Sequence, residues 1–236
     1  TNGVSDAQGR TVFSGISNDP GVIYLVGARI GELMIPTRLT FAPGEVDATV
    51  TLAVANPTTR IEGVTVSELR ARVDWMGDRL IVTELVTLAN PGSQVIQVPA
   101  TDEGPAIFER LLPPGAKDFN PGPTAMGDEF ALVGDRVRFY GPLYSGEQRV
   151  EYQWSLPLDG DAPLPKLTLE LREAAARVVV IAGTEGMELA GEGLVPSRAL
   201  ADEERVLASW AREGLGPGAR LDVAITLPEI RNDPTS

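Results

Sequence analysis

Apolar and polar residues alternate with a period of two in several stretches of this chain, the pattern of strands that bury one face and wet the other. Leu69, Ala71, Val73 and Trp75 face one way while Glu68, Arg70, Arg72 and Asp74 face the other, so Val64 to Trp75 is predicted as a strand. Met76-Gly77-Asp78 turns it into a second strand, Arg79 to Ala89, and Asn90-Pro91-Gly92-Ser93 turns that into Gln94 to Val98, an antiparallel meander. After a Pro/Gly-rich interval, Leu112 to Met126, the strands Asp128 to Val133 and Arg136 to Tyr140 flank Gly134-Asp135 as a hairpin with Val137 and Phe139 inward. Gln148 to Leu156 closes the sheet, with Val150, Tyr152 and Trp154 on one face. Leu167 to Leu171, Arg177 to Ala182 and Met187 to Ala190 continue the series. Turns that recur about every 8 to 12 residues are the mark of a sandwich or barrel.

In Ala199 to Glu213 composition and context disagree. Its Ala, Leu, Glu and Arg content favours helix, with Leu200, Leu207 and Ala211 on one face. The Gly214-Leu215-Gly216-Pro217-Gly218 turn and the alternating Leu221, Val223, Ile225 and Leu227 that follow argue instead for a strand from Arg205, paired as a hairpin with Ala219 to Leu227.

The first part of the chain is organised by Ser5 to Ala28. Asp6-Ala7-Gln8-Gly9 predicts a polar turn, because Asp bonds the backbone ahead of it and Gly accepts positive φ. Thr11 to Ser14 is expected as a short strand with Val12 as its inward anchor. Asn18-Asp19-Pro20-Gly21 then turns the chain into Val22 to Ala28, apolar on both faces and so expected between two layers. Glu32 to Thr40 and Val46 to Ala55 follow as strands, the second with the cleaner alternation of Val46, Ala48, Val50, Leu52 and Val54 against Asp47, Thr49 and Thr51. Asn56-Pro57-Thr58-Thr59 interrupts pairing. Pro157 to Pro165 reads as a stiff acidic linker. These breaks divide the chain into 1–58, 59–160, a third β-rich part over 161–230 that is either separate from or packed with the second, and a tail over 231–236.

The spacing D-x-x-G-R-x-x-F-x-G-I from Asp6 to Ile16, with Tyr24 and Ala28 on the next strand, resembles the carboxypeptidase regulatory-like family. The resemblance covers about the first quarter of the chain. It implies a transthyretin-like seven-stranded sandwich, used as a non-catalytic module in extracytoplasmic bacterial proteins. That family normally has one or two strands before the D-x-x-G turn. Only Thr1 to Val4 precede it here, so the expectation is either a longer protein or an edge left for a partner strand. Leu112 to Ala116, Gly141-Pro142 and Tyr152 to Pro157 are similar to features of the ectodomain that follows such domains in bacterial envelope proteins, which implies a membrane anchor outside this chain.

Composition narrows the chemistry. The 236 residues include neither His nor Cys, which removes the commonest general base and metal ligand together with thiol nucleophiles and disulfides. The histidine-dependent hydrolases of the transthyretin-like superfamily are thereby excluded. A formal net charge of −13 argues against binding a nucleic-acid backbone. No apolar run reaches membrane-spanning length. No cofactor is expected.

Five groups of residues remain as candidates. Asp128 with Glu129, or Asp159 with Asp161, are the pairs available for carboxylate catalysis, but neighbours on a strand point to opposite faces, so the first pair does not converge. Asp159-Gly160-Asp161 is a candidate calcium turn whose other loop positions are apolar or Pro, which favours a plain acidic turn. Trp75, Trp154 and Trp210 with Tyr140 and Tyr144 are either a sugar-stacking platform or ordinary core aromatics. Arg136 and Arg138 share an outward face, either a contact for an acidic partner or a solvated surface.

The reading that follows is an all-β protein of tandem β-sandwich domains, transthyretin-like or immunoglobulin-like. It is expected to act without catalysis as an extracytoplasmic structural or protein-binding module, in the periplasm or at the cell surface. A protein partner or self-association is expected, with Glu32 to Thr40 as the contact edge. Carbohydrate binding and carboxylate-dependent hydrolysis are the alternatives.

Overall fold

The structure, a computed structural model, describes residues 2–30, 33–52, 57–122, 129–158, 166–198, 200–202 and 205–228. Strands carry the fold, and there is no α-helix among the described residues. The chain divides into two compact units, Thr1–Asn56 and Pro57–Ser236.

In the first unit, β1 (Tyr24–Ile30) and β2 (Leu33–Leu39) form an antiparallel hairpin in register from Tyr24↔Leu39 to Ile30↔Leu33. The predicted turn before it is present: the Gln8 and Arg10 N–H groups donate to Asp6 Oδ1 at 2.9 and 2.8 Å, and Gly9 takes a φ of 76°. Thr11 to Ser14 is not a strand, and Val12 is 89% exposed rather than an inward anchor. The strand expected over Val22 to Ala28 begins at Tyr24 and is not sandwiched between layers, since Leu25 is 76% exposed. Val46 to Leu52, despite its alternation, belongs to no strand, and residues 53–56 lie outside the described residues. Alternation prepares a segment for a ladder, but only a partner with free N–H and C=O groups makes it a strand. What the hairpin buries is small: Tyr24 meets Phe41 edge-on at 6.1 Å, and Leu33 and Phe41 are closed from solvent.

The second unit is a pair of sheets around one core. One sheet has seven strands in the order β13-β16-β11-β3-β4-β9-β6: β13 (Val195–Pro196), β16 (Ser209–Leu215), β11 (Ala175–Ala182), β3 (Thr65–Trp75), β4 (Arg79–Asn90), β9 (Gly146–Pro157) and β6 (Lys117–Pro121). The other has six, in the order β12-β17-β10-β5-β8-β7: β12 (Glu188–Gly191), β17 (Arg220–Thr226), β10 (Leu167–Leu171), β5 (Phe108–Leu111), β8 (Arg136–Phe139) and β7 (Phe130–Val133). A short hairpin, β14 (Leu200–Asp202) with β15 (Arg205–Leu207), stands apart from both.

The alternation read from the sequence sets the inward faces. Leu69, Ala71 and Val73 of β3, Val82 and Val86 of β4, Val150, Tyr152 and Trp154 of β9, and Val137 and Phe139 of β8 are all buried in one cluster. Leu167, Leu169 and Leu171 of β10, with Leu221 and Val223 of β17, complete it from beyond residue 166.

One alternative left open closes at this level, and two expectations change. Strands on both sides of 159–165 share both sheets, β11 running parallel to β3 and β10 lying between β5 and β17, so the second and third stretches are packed as one unit. The strand expected from Arg205 is present as β15 and β16, but β16 and β17 do not pair as a hairpin. The turn after Leu215 carries the chain from one sheet to the other. Gln94 to Val98 makes only single bridges at Ile96, to Thr58 and Leu143, rather than a meander strand.

Candidate functional site

The most enclosed polar chemistry lies between the two sheets. Phe108 and Arg110 alternate inward along β5, which puts a guanidinium where the pattern calls for an apolar side chain. Glu84 of β4 answers it from the opposite sheet: Arg110 Nη2 donates to Glu84 Oε1 at 3.0 Å and Arg110 Nε to Oε2 at 3.1 Å, with both side chains fully buried. Tyr152 Oη donates to Glu84 Oε2 at 2.5 Å and Trp154 Nε1 to Oε1 at 3.1 Å. Arg110 also donates to the Thr168 carbonyl at 2.8 Å and to the Leu111 carbonyl. Burial, and after it the neighbouring Glu84 charge, holds the Tyr152 hydroxyl well above the ordinary tyrosine pKa. Every arm of this network is satisfied from within. It clasps the sheets and leaves no group for a ligand.

On the other face of β5, Glu109 sits opposite Arg138 of β8 and gathers three arginines. Arg136 Nη1 donates to its Oε1 at 2.7 Å, Arg138 Nε lies 3.2 Å from its Oε2, and Arg172 Nη1 lies 4.0 Å from the same oxygen. The sequence reading placed Arg136 and Arg138 on one outward face. The structure keeps Arg136 exposed but buries Arg138 to 5% exposure. The segment Thr101–Gly104 folds over Arg138, whose guanidinium donates to the Thr101 carbonyl at 2.7 Å, to the Asp102 carbonyl at 2.6 Å and to the Gly104 carbonyl. Asp102, Glu103, Glu109, Arg136, Arg138 and Arg172 border a cleft of about 540 Å³. Glu109 and Arg172 escaped the sequence reading because β5 shows no alternation and Arg172 lies just past the end of β10.

Tyr140, a candidate for an exposed contact, is buried: its hydroxyl donates to the Thr101 carbonyl at 3.0 Å and the Arg138 guanidinium lies 5.4 Å from its ring centre. Tyr144 is half-buried, and burial, followed by the nearby Glu129 charge, raises its pKa. The five aromatics weighed as a stacking platform are not brought together on a surface. Trp154 is in the core, Tyr140 lies under the Thr101–Gly104 segment, and Trp75 caps its own turn by donating to the Gly77 carbonyl at 2.8 Å. Asp128, Asp159 and Asp161 lie outside the described residues. Among the described residues no group of three acids is placed to hold a metal ion.

The hairpin of the first unit offers a different kind of surface. Its sheet has two strands only, so among the described residues the outer backbone row of each strand has no ladder partner. The two edges are not equivalent. Pro36 interrupts β2 opposite Gly27, and a proline in a ladder turns its nitrogen to the open side, where it supplies no donor. β1 has no proline. One face of the hairpin carries Leu25 (76% exposed) and Met34 (48% exposed) together with Arg29 and Arg38.

No family model and no curated protein matches this chain. Among solved structures it is similar to a putative protease from Parabacteroides distasonis, at 10% identity over 70% of this chain, with a TM-score of 0.37. The chain spans 40% of the length of that protein. The yeast delta-COP-I mu-homology domain is a second neighbour, at 11% identity over 71% of this chain and 76% of that domain, with a TM-score of 0.20. At these TM-scores neither neighbour assigns a family or an activity.

Proposed function

We propose that this chain is a non-catalytic binding module of a bacterial envelope or surface protein, working outside the cytoplasm, and that it engages a protein partner by strand addition at the open edge of β1. The observation that carries this reading is the asymmetry of the hairpin: Pro36 spoils the β2 edge that the sequence favoured, while β1 keeps an uninterrupted backbone row beside the exposed Leu25. Main-chain bonds to β1 supply affinity, and the exposed Leu25 selects an apolar side chain opposite it in the incoming strand. The resemblance to carboxypeptidase regulatory-like domains supports the extracytoplasmic setting and the module's role as a connector.

The test is selection from a displayed library of extended peptides against the immobilised chain, with counter-selection on Leu25→Lys. Enriched sequences that share an apolar residue at one position and lose binding to the variant are the expected result. Enrichment of peptides indifferent to Leu25→Lys, or none above background, overturns the reading.

A further inference from the structure

We infer that the cleft around Glu109 is a binding site for a zwitterion of the amino-acid or short-peptide class, independent of the β1 edge. A net charge of −13 makes a convergence of three arginines on one carboxylate conspicuous, and that carboxylate does not use up their donors. A guanidinium has five N–H groups. Arg136, with 57% of its side chain exposed at the cleft, makes one hydrogen bond, from Nη1 to Glu109. Arg172 bonds Glu173 and the Ala106 carbonyl through Nε and Nη2, which leaves Nη1 at 4.0 Å from Glu109, beyond hydrogen-bond reach. Arg138 Nε, enclosed on a side chain only 6% exposed, has no hydrogen-bond partner and faces Glu109 as an ion pair alone.

Unused, partly fixed arginine donors around a cleft of about 540 Å³ match a planar carboxylate, within the size range typical of small-ligand pockets. The opposite lining fixes the rest of the ligand. Asp102 and Glu103 border the same space on the segment that Arg138 anchors, and with Glu109 they oppose a dianion such as phosphate. An ammonium group a few bonds from the carboxylate turns that repulsion into a second contact. Arg138 holds the Thr101–Gly104 wall in place through its three carbonyl bonds and is a positioning residue here.

The experiment is calorimetric titration of the whole chain with free amino acids and dipeptides, each beside its N-acetylated and its C-amidated counterpart. Saturable binding of zwitterions, weakened about tenfold or more by either cap, is expected. Arg136→Gln, an exposed substitution whose thermal melt should match the parent, should weaken binding by a similar factor, and Asp102→Asn should abolish the preference for a free amine. Binding of acetylated and free forms alike, binding untouched by Arg136→Gln, or no saturable heat at millimolar concentration overturns the inference.

Discussion

Glu84 and Arg110 meet as a two-pronged fork across the core, at 3.0 and 3.1 Å, each side chain wholly removed from water and each on a different sheet. Removing one partner strands the other's charge in the interior, whereas removing both removes the problem. Glu84→Leu or Arg110→Met alone should therefore destabilise the second unit by about 3–5 kcal/mol, and the double variant by less than either single one. Denaturant unfolding of the three proteins checks the order. A double variant worse than both singles would contradict the claim that the cost of each single one is its stranded charge.

Tyr152 ties this network to alkaline pH. Its folded pKa lies above the unfolded value near 10, so the stability it contributes is fully present below that value and is lost as pH rises toward the folded pKa. The parent should weaken above about pH 10 in step with tyrosinate absorbance, and Tyr152→Phe should lose that component of the pH dependence. The variant also leaves Glu84 one donor short, so at neutral pH it should be less stable by about 1–3 kcal/mol.

Two glycines of positive φ should respond differently to substitution. At Gly141, φ 103°, an added Cβ would lie 2.7 Å from the Ile96 carbonyl oxygen, a backbone atom held by its bonds with Leu143. Gly141→Ala should destabilise by about 2 kcal/mol or more. Gly134, φ 62°, has nothing within 4 Å of that position and lies in the β7–β8 turn. Gly134→Asn should shift stability by less than about 1 kcal/mol, since Asn tolerates the left-handed region. Thermal melts of the two variants make the comparison.

Because β3 is flanked by β4 on one side and β11 on the other, residues 57–158 hold only part of each sheet. That fragment should show no cooperative unfolding, whereas 57–228 should unfold in one transition. A dispersed amide NMR spectrum from the shorter fragment would refute the shared core.

The strands that alternate cleanly were readable from sequence, as β3, β9 and β10 show, and β4 and β11 were readable as apolar runs between turns. β5 was not, because Arg110 occupies the inward position where the pattern calls for an apolar side chain, and it is held there by its ion pair with Glu84 across the core. β6 escaped as an exposed edge, Lys-Asp-Phe-Asn-Pro, with only Phe119 partly buried. Val46 to Leu52 misled in the other direction: its pattern is that of a strand, but pattern carries no information about a partner. The same limit explains β16 and β17, where alternation predicted two strands correctly and adjacency in sequence suggested the wrong pairing. At the cleft, Arg136 and Arg138 were visible as a same-face pair. What encloses Arg138 comes from Thr101–Gly104, which no local signal connects to β8.

Strand addition at β1 is tested most directly by residue-resolved amide hydrogen exchange, with and without a peptide selected on the hairpin. Slowed exchange at every second amide of β1, those not bonded to β2, with the β2 edge unchanged, is the predicted result. Protection along β2, or protection confined to the second unit with β1 still exchanging freely, would contradict it.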